Sequence, residues 1–438
     1  MNRGFYTVMA AQFFSSLADN ALLIAAIALL LELHGPAWMT PLLKFFFTVS
    51  YVVLAAFVGA FADSLPKGKV MFITNTIKIA GCALMFFYDS FALLGISTHQ
   101  VVLASYAVVG LGAAAYSPAK YGILTEMLPP RQLVIANGWI EGLTVASIIL
   151  GTMLGGALIN PRVSALLLSI DLPHIDTGID TPPEAAILVI SMLYLIAAVF
   201  NLRIPDTGAR YHEQTHNPVV MVRDFAECFT TLWRDKLGQI SLAVTTLFWG
   251  AGATLQFIVL RWAERRLEMP LSQGAILQGI VAIGVALGAV LAGRMVPLKQ
   301  SLRVLPVGVA MGFAVMSLIF VTWMPLVYFL LILVGALAGF FVVPMNALLQ
   351  HRGHVLLSAG HSIAVQNFNE NLNILLMLAL YALMIRANFG INTIIVMFGV
   401  FVCVTMMMVI KLHKYNQSRE DSLHLIGMEK RQGRSRTI

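Results

Sequence analysis

Five charged residues lie in stretches of the sequence that are otherwise apolar: Asp19, Lys78, Lys120, Glu141 and Glu370. An ionised side chain at the centre of a bilayer costs at least about 2.5–3.5 kcal/mol, so it is kept where it faces a protein interior or a water-filled path. A carboxylate in such a place can couple movement to a cation or recognise a positively charged headgroup. These residues therefore indicate where the working surface lies, but not what it acts on.

The composition of the whole chain explains why these charges stand out. Of its 438 residues, 59% are hydrophobic and only 11% are charged, whereas a soluble domain carries roughly 25% charged residues. Apolar runs of about 20 residues recur, each long enough to cross a ~30 Å hydrocarbon core as a helix. The first run continues to Leu33, which is longer than the apolar region of a cleavable signal peptide. The sequence therefore predicts an all-α membrane protein whose first span is retained.

Apolar runs and the residues that interrupt them predict twelve transmembrane helices. Lys and Arg residues fall mainly in loops on one side, about 20 against 5 on the other, which places the basic loops and both termini in the cytoplasm. This distribution explains the net charge of +7 better than nucleic-acid binding would. The predicted spans lie near residues 5–33, 41–62, 68–88, 99–122, 137–159, 184–203, 238–261, 273–293, 302–322, 325–349, 358–385 and 390–411.

Two related segments indicate that the spans form two pseudo-symmetric six-helix halves. Residues 116–124 end the fourth span and residues 343–350 end the tenth, and each segment has a Pro followed two places later by a polar residue, Lys120 or Asn346. Two halves related in this way are the arrangement of the major facilitator fold. The expected parts are a first half at 1–203, a linker with an amphipathic helix at 204–237, a second half at 238–411 and a basic cytoplasmic tail at 412–438.

The loop between the second and third spans carries a motif with a predicted gating role. Gly59 is followed four residues later by Asp63, and then by Lys67 and Lys69. This spacing resembles the loop signature of the major facilitator superfamily, which acts as an inner gate. Glycine lets helices approach closely, and an aspartate can bind a helix N-terminus or a cation. The alternative is an ordinary charged turn.

Two carboxylates lie at mid-depth in their spans. Asp19, with Asn20 beside it, lies roughly 20 Å along the first span at ~1.5 Å per residue; it is expected to face a cavity unless it is protonated and inert. Glu370 lies in a segment with six polar residues in eight. It shares a helical face with Gln366. That face predicts either a cavity lining or a polar network that only joins helices.

The other three buried charges allow more than one interpretation. Lys120, near the inner end of the fourth span, can line the cavity or extend its ammonium to the cytoplasm. Lys78 lies in the middle of the third span and needs an acidic partner, so it is expected to be mainly structural. Glu141, near the inner end of the fifth span, is expected either to pair with Lys120 or Lys78 or to contact substrate.

The seventh span offers polar side chains in the second half. Gln256 lies at mid-depth, and Arg261 follows near the outer end. A guanidinium can bind phosphate oxygens with two parallel hydrogen bonds, so Arg261 is a candidate phosphate ligand. It can equally be a solvated loop residue beside Arg265 and Arg266.

The sequence contains no motif typical of a soluble enzyme. It has no Walker loop, no metal-ligand spacing and no Ser, His and Asp set placed by a known motif. Its three cysteines are far apart and show neither metal nor disulfide spacing. No catalytic residue, metal or cofactor is therefore expected.

Six segments carry a more specific resemblance. They are Ala18–Leu23, Gly112–Leu124, Phe248–Gly252, Gly339–Gln350, Ala364–Asn367 and Glu370–Asn371. These segments are similar to the bacterial lysophospholipid transporter family of the major facilitator superfamily. The resemblance covers both halves, leaves out the tail, and is most specific in the segment around Lys120.

That resemblance implies movement of lysophosphatidylethanolamine and lysophosphatidylglycerol from the outer to the inner leaflet of the bacterial inner membrane. There an acyltransferase and acyl-carrier-protein synthetase system restores the second acyl chain. Asp19, Lys120, Glu141 and Glu370 match charged positions of the family. Gln256 stands where the family has an arginine, and Arg261 would supply that charge instead. The chain is expected to work as a monomer, by alternating access.

Two other functions remain open at this stage. The first is export of drugs or small metabolites by the same fold, which differs in substrate and direction. The second is a scaffold that recruits an acyltransferase without transporting anything. A scaffold would tolerate neutralisation of the buried charges, whereas a carrier would not.

Overall fold

The computed structural model describes residues 3–35, 39–92, 95–168, 179, 181–211, 217–269 and 271–427. Within these ranges the regular structure is helical, with short 3-10 turns at Pro130–Gln132, Leu298–Val304, Leu318–Phe320 and Leu423–Leu425. The helices are α1 (Arg3–Glu32), α2 (Thr40–Val53), α3 (Ala55–Ser64), α4 (Lys67–Phe86), α5 (Tyr88–Ala92), α6 (Thr98–Met127), α7 (Leu133–Leu158), α8 (Pro161–Leu168), α9 (Pro182–Leu202), α10 (Pro218–Arg234), α11 (Gly238–Arg266), α12 (Leu271–Met295), α13 (Leu305–Ser317), α14 (Met324–Leu356), α15 (Ala359–Arg386) and α16 (Ile391–Arg419).

The predicted all-helical membrane fold is confirmed. In the described part of the chain, 11 helices are long and apolar enough to span a membrane, and the number is up to 12 if a bent pair is one span. That pair is α2 with α3, which meet at Leu54 at an angle of 67°. No proline lies at the bend, so the sequence around the second span gives no signal for it.

The helices pack as two compact units. The first unit contains Met1–Lys120 and Ala146–His216, and the second contains Tyr121–Val145 and Asn217–Ile438. The end of α6 and the first half of α7 therefore belong to the second unit. The predicted boundaries at 203, 237 and 411 follow chain symmetry and stay a prediction.

Small residues explain why the start of α7 packs so closely in the second unit. A Cβ atom added to Gly138 would lie 2.9 Å from the carbonyl oxygen of Ala289 in α12. Between α12 and α14, a Cβ atom on Gly288 would lie 2.0 Å from the carbonyl oxygen of Ala336. In lipid, where apolar burial gives little drive between helices, such close backbone contact is a main source of association.

The predicted amphipathic helix is α10, and its apolar face packs on the second unit. The rings of Phe225 and Phe229 contact that of Phe368 in α15, with centroids 5.5 and 6.1 Å apart. Trp233 Nε1 donates to Asn369 Oδ1 over 3.3 Å. Of the two predicted positions, membrane surface or base of the bundle, these contacts favour the base.

The final helix is longer than the apolar run predicts. The twelfth span was expected to end near residue 411, but α16 continues to Arg419. The chain then turns back, so that Ile426 is only 2% exposed and the Gly427 N–H donates to His351 Nε2 over 2.9 Å. Residues 428–438 of the predicted tail lie outside the described ranges.

Candidate functional site

The first unit contains a buried ion pair between two of the five charges singled out in the sequence. Asp19 lies near the middle of α1 and Lys78 near the middle of α4, and the Lys78 ammonium lies 2.8 Å from both carboxylate oxygens. The Lys78 side chain is 1% exposed, whereas that of Asp19 is 21% exposed. The pair therefore presents its carboxylate, and not its ammonium, to open space.

Three further side chains complete this pair, which we call the Asp19 cluster. Tyr194 of α9 donates its hydroxyl to Asp19 Oδ1 over 2.6 Å. The Lys78 ammonium also donates to Ser15 Oγ over 3.1 Å, and Ser15 in turn donates to Asn75 Oδ1 over 2.8 Å. The aspartate therefore accepts hydrogen bonds from both an ammonium and a phenol, and the bond from the ammonium is charge-assisted.

The Asp19 cluster supplies the acidic partner that Lys78 was expected to need, and it corrects the alternative in which Lys78 pairs with Glu141. The acidic partner that a mid-span lysine needs is Asp19, the residue expected to face a cavity. Aromatic rings of Tyr116 and Tyr194 lie 5.1 and 5.4 Å from the ammonium and add cation–π stabilisation. The sequence analysis did not identify Tyr194. The signal that could have found it is its phenol, because a tyrosine hydroxyl inside an apolar span needs a hydrogen-bond partner.

The second unit holds a chain of hydrogen bonds between two buried carboxylates. Asn346 Nδ2 of α14 donates to Glu141 Oε1 of α7 over 3.3 Å. Gln366 Nε2 of α15 donates to Asn346 Oδ1 over 3.0 Å and to Glu370 Oε1 over 2.7 Å. All four side chains are at most 6% exposed. The structure thus joins Glu141, Gln366 and Glu370 through Asn346, the repeat counterpart of Lys120 that was not proposed as a site residue.

A neutral pair lies next to this chain, closer to the basic loops. Asn137 Nδ2 donates to Gln350 Oε1 over 2.9 Å, and Gln350 Nε2 donates to Asn137 Oδ1 over 2.8 Å. Both side chains are at most 1% exposed. We call this reciprocal amide pair, which joins α7 to α14, the amide latch. The sequence signal was a polar residue one helical turn before Glu141 and another one turn after Asn346.

The four other residues predicted to bind substrate are Asn20, Gln256, Lys120 and Arg261. Asn20 donates to Ser16 O one turn earlier in its own helix, over 2.8 Å. Gln256 is exposed and exchanges hydrogen bonds with Gln278 of α12, at 3.0 and 2.9 Å, so its polar group is bonded to an amide and not to a carboxylate. Lys120 and Arg261 are both half-buried.

The predicted gating motif forms a buried ion pair within the first unit. The Lys67 ammonium lies 2.6 Å from Asp63 Oδ1, and it also donates to Ala62 O over 2.7 Å. The ring of Tyr211 lies 4.9 Å from the same ammonium. Gly59 is buried in α3, whereas Lys69 is exposed.

Among the described residues, no group of three or more His, Cys, Asp or Glu side chains could hold a metal ion. The three cysteines carry free thiols, two of them buried. The chemistry that the clusters can perform is binding and exchange of ion pairs and hydrogen bonds.

The Asp19–Lys78 pair leads to a stability prediction. Lys78→Met leaves a partly buried carboxylate without its cation, and breaking such a pair costs about 3 kcal/mol. Asp19→Asn combined with Lys78→Met removes both charges and should recover most of that loss. Lys69→Met, at the exposed start of the same helix, is the matched control and should be near neutral. Thermal unfolding of the purified variants in detergent measures this; equal stability of Lys78→Met and Lys69→Met would contradict the pairing.

Solved structures of other transporters share the fold. A bacterial homologue of the iron transporter ferroportin, in an outward-facing state, superposes with a TM-score of 0.71 at 13% identity and covers 95% of this chain and 100% of its own. The transporter FucP in an outward conformation gives a TM-score of 0.69 at 13% identity and covers 93% of this chain and 98% of its own. At these identities the likeness extends to the fold alone.

Sequence comparisons are more specific. The chain matches the Major Facilitator Superfamily over residues 8–372. It is 42% identical to the lysophospholipid transporter LplT of Yersinia enterocolitica over 389 residues, which are 88% of each chain. It is 41% identical to LplT of Yersinia pestis over 387 residues, again 88% of each chain. The chain therefore belongs to the lysophospholipid transporter family of the major facilitator superfamily.

Proposed function

We propose that the chain is a lysophospholipid transporter that moves lysophosphatidylethanolamine and lysophosphatidylglycerol from the outer to the inner leaflet of the bacterial inner membrane for reacylation. The observation that carries this proposal is 42% identity to a lysophospholipid transporter across 88% of both chains. The alternative, export of drugs or small metabolites, has no comparable support.

The charges of the Asp19 cluster suit the headgroup of lysophosphatidylethanolamine. That headgroup carries one ammonium and one phosphate, and the cluster carries one carboxylate and one ammonium. We propose that the headgroup ammonium binds the exposed side of Asp19, and that the phosphate forms an ion pair with the Lys78 ammonium. One buried ion pair is then exchanged for two, so no charge is left unpaired in the low-dielectric interior.

Lysophosphatidylglycerol requires a different charge balance at the same site. Its headgroup has a phosphate but no ammonium, so it can pair with Lys78 only if another positive charge replaces Lys78 at Asp19. We propose that a proton or a metal cation from solution supplies that charge. Transport of this lipid should therefore depend more strongly on Asp19 and on the ions present.

The amide latch and the neighbouring carboxylate chain are the proposed inner gate. In alternating access, α7 of the predicted first half must separate from α14 of the predicted second half when the cavity opens toward the basic loops. A neutral hydrogen bond contributes only about 0.5–1.5 kcal/mol net, because both partners regain water on separation. The latch is therefore strong enough to exclude water and weak enough to open.

The remaining features of the proposal concern the cellular setting. The excess of Lys and Arg in the loops on one side supports the proposal that these loops and both termini are cytoplasmic. We propose that an acyltransferase with an acyl-carrier-protein synthetase acts on the cytoplasmic side, and that the chain itself works as a monomer within the membrane lipids. Because reacylation consumes the product, it keeps the lysophospholipid concentration of the inner leaflet low, so that transport runs downhill.

A transport measurement tests the function. Purified protein in vesicles should move fluorescent lysophosphatidylethanolamine but not the diacyl form. Burial of each CH₂ of a second acyl chain is worth about 0.8 kcal/mol, so the site would need a second apolar groove to accept that chain. Asp19→Asn should reduce the rate about tenfold or more, since it removes a charge-assisted contact. The control is Lys414→Gln, on the exposed face of α16. Asn20→Asp is not used, because it would add a second carboxylate next to Asp19.

Two outcomes would contradict parts of this proposal. Retention of full activity by Asp19→Asn, with Lys414→Gln equal to the parent protein, would remove Asp19 from the site. Equal movement of lyso and diacyl lipids would contradict the proposed substrate class. Protein amount in the vesicles is measured for each variant so that a loss of folding is distinguished from a loss of transport.

A cross-link tests the gate. In a background where Cys82, Cys228 and Cys403 are replaced by alanine, the pair Asn137→Cys and Gln350→Cys should be joined by a short, reducible thiol-specific cross-linker, because the amide groups they replace are in hydrogen-bond contact. Transport should stop on cross-linking and return when the cross-link is reduced. The two single-cysteine variants are the controls. Undiminished transport by the fully cross-linked protein would show that α7 and α14 need not separate there.

A further inference from the structure

The chain folds back on the second unit after the end of α16. The Lys236 ammonium, just before α11, forms an ion pair with Glu420. Beyond this ion pair, Ser422 and Ile426 are each only 2% exposed. The segment from Glu420 to Gly427, which we call the tail clasp, is therefore packed against the protein.

The tail clasp ends on a histidine of α14. The Gly427 N–H donates to His351 Nε2 over 2.9 Å, and the backbone of Leu425 hydrogen-bonds the same ring. Gly427 has a φ of +87°, a conformation that glycine adopts without strain. His351 is 3% exposed, so its ring is covered. Since His351 directly follows Gln350, the clasp is bound to the helix end that carries the amide latch.

This contact depends on the protonation of His351. A backbone N–H can only donate, so Nε2 must carry a lone pair and the imidazole must be neutral. Protonation of Nε2 would place an N–H opposite the Gly427 N–H, and two donors cannot bond to each other. Histidine is the side chain whose charge ordinarily changes between pH 5 and 8. Acidification should therefore break the bond that holds the end of the clasp.

The carboxylates near His351 are already paired with other cations. Arg352 donates from Nε and Nη2 to the two carboxylate oxygens of Asp235, over 3.1 and 2.6 Å. The hydrogen bond and charge of Lys236 lower the pKa of Glu420, which therefore stays ionised and paired between pH 5 and 8. Both ion pairs thus persist over the range in which a histidine titrates, and neither carboxylate is left to balance a new positive charge.

Three basic side chains lie around the same contact. Lys299 approaches the end of the clasp, since a Cβ atom added to Gly427 would lie 3.7 Å from its Cε atom. His424 belongs to the clasp itself, and His354 follows His351 by one turn of α14. A proton on His351 would add to this positive charge, which favours release of the clasp further.

We propose that the tail clasp is a pH-sensitive contact, bound to α14 while His351 is neutral and released when His351 takes up a proton. Release uncovers the inner end of α14, next to the amide latch, and so gives this helix end more freedom to move. That last consequence rests on the proposed inner gate, whereas the contact and its response to pH do not.

Distances between two spin labels on the purified full-length protein test the proposal. In the cysteine-free background, the labels are placed at Leu423→Cys on the clasp and Gln300→Cys on the neighbouring 3-10 turn, two exposed positions. Pulsed electron paramagnetic resonance should give one short, narrow distance distribution at pH 7.5. At pH 5 the distribution should become longer and broader, because the clasp has left α14.

Three variants assign the response to one ring. His351→Gln should keep the clasp bound at both pH values, because its amide oxygen accepts the Gly427 N–H and does not titrate. His351→Leu offers no acceptor and should release the clasp at both pH values. His424→Gln, on the clasp, is the matched control and should respond to pH as the parent protein does. Thermal unfolding of each variant shows that it is folded.

The proposal is overturned if the parent protein gives the same distances at pH 7.5 and pH 5. It is also overturned if His351→Gln still releases the clasp in acid, if His351→Leu keeps it bound, or if His424→Gln abolishes the response. Because the readout is a distance within the protein, a failure here is distinct from a failure to observe lysophospholipid transport.

Discussion

A charge that is surrounded by hydrocarbon must be paired, and the ion pair between Asp19 and Lys78 is how the first unit meets that constraint. Lys78 is enclosed and Asp19 is partly open, so the pair has one side that a ligand can reach. Three helices depend on it, since α1 supplies the carboxylate, α4 the ammonium and α9 the phenol of Tyr194. In the proposed mechanism, Asp19 releases the Lys78 ammonium when the ligand brings another cation, which links occupancy to the charge of the headgroup.

The second unit meets the same constraint with amides. Asn346 and Gln366 connect Glu141 with Glu370, and the amide latch adds two neutral hydrogen bonds between α7 and α14. Neutral bonds separate at less cost than an ion pair inside the protein, because an unpaired amide is less costly there than an unpaired charge. The two units thus use different chemistry, an ion pair where a charged headgroup is proposed to bind and amides where helices are proposed to part.

The sequence predicted the membrane class, the number of spans and the family because apolar length, Lys and Arg bias and family motifs are local signals. It also picked out the three carboxylates of the two clusters, Asp19, Glu141 and Glu370, together with Gln366. It could not pair Lys78 with Asp19, since that contact joins residues 59 positions apart and depends on which faces of α1 and α4 meet. For the same reason Tyr194 and the amide latch were missed. The bend at Leu54 could not be predicted, because no proline lies there. The extension of α16 to Arg419 could not be predicted from hydropathy, because the added residues are polar and include the buried Asn416.

The central claim is that a lysophospholipid headgroup binds at the Asp19 cluster. A density map of the protein prepared with lysophosphatidylethanolamine tests it most directly. The account predicts headgroup density beside Asp19, with the phosphate within hydrogen-bond reach of the Lys78 ammonium and the acyl chain along apolar side chains. Headgroup density confined to another part of the protein, with the Asp19–Lys78 ion pair intact and nothing beside it, would contradict the account.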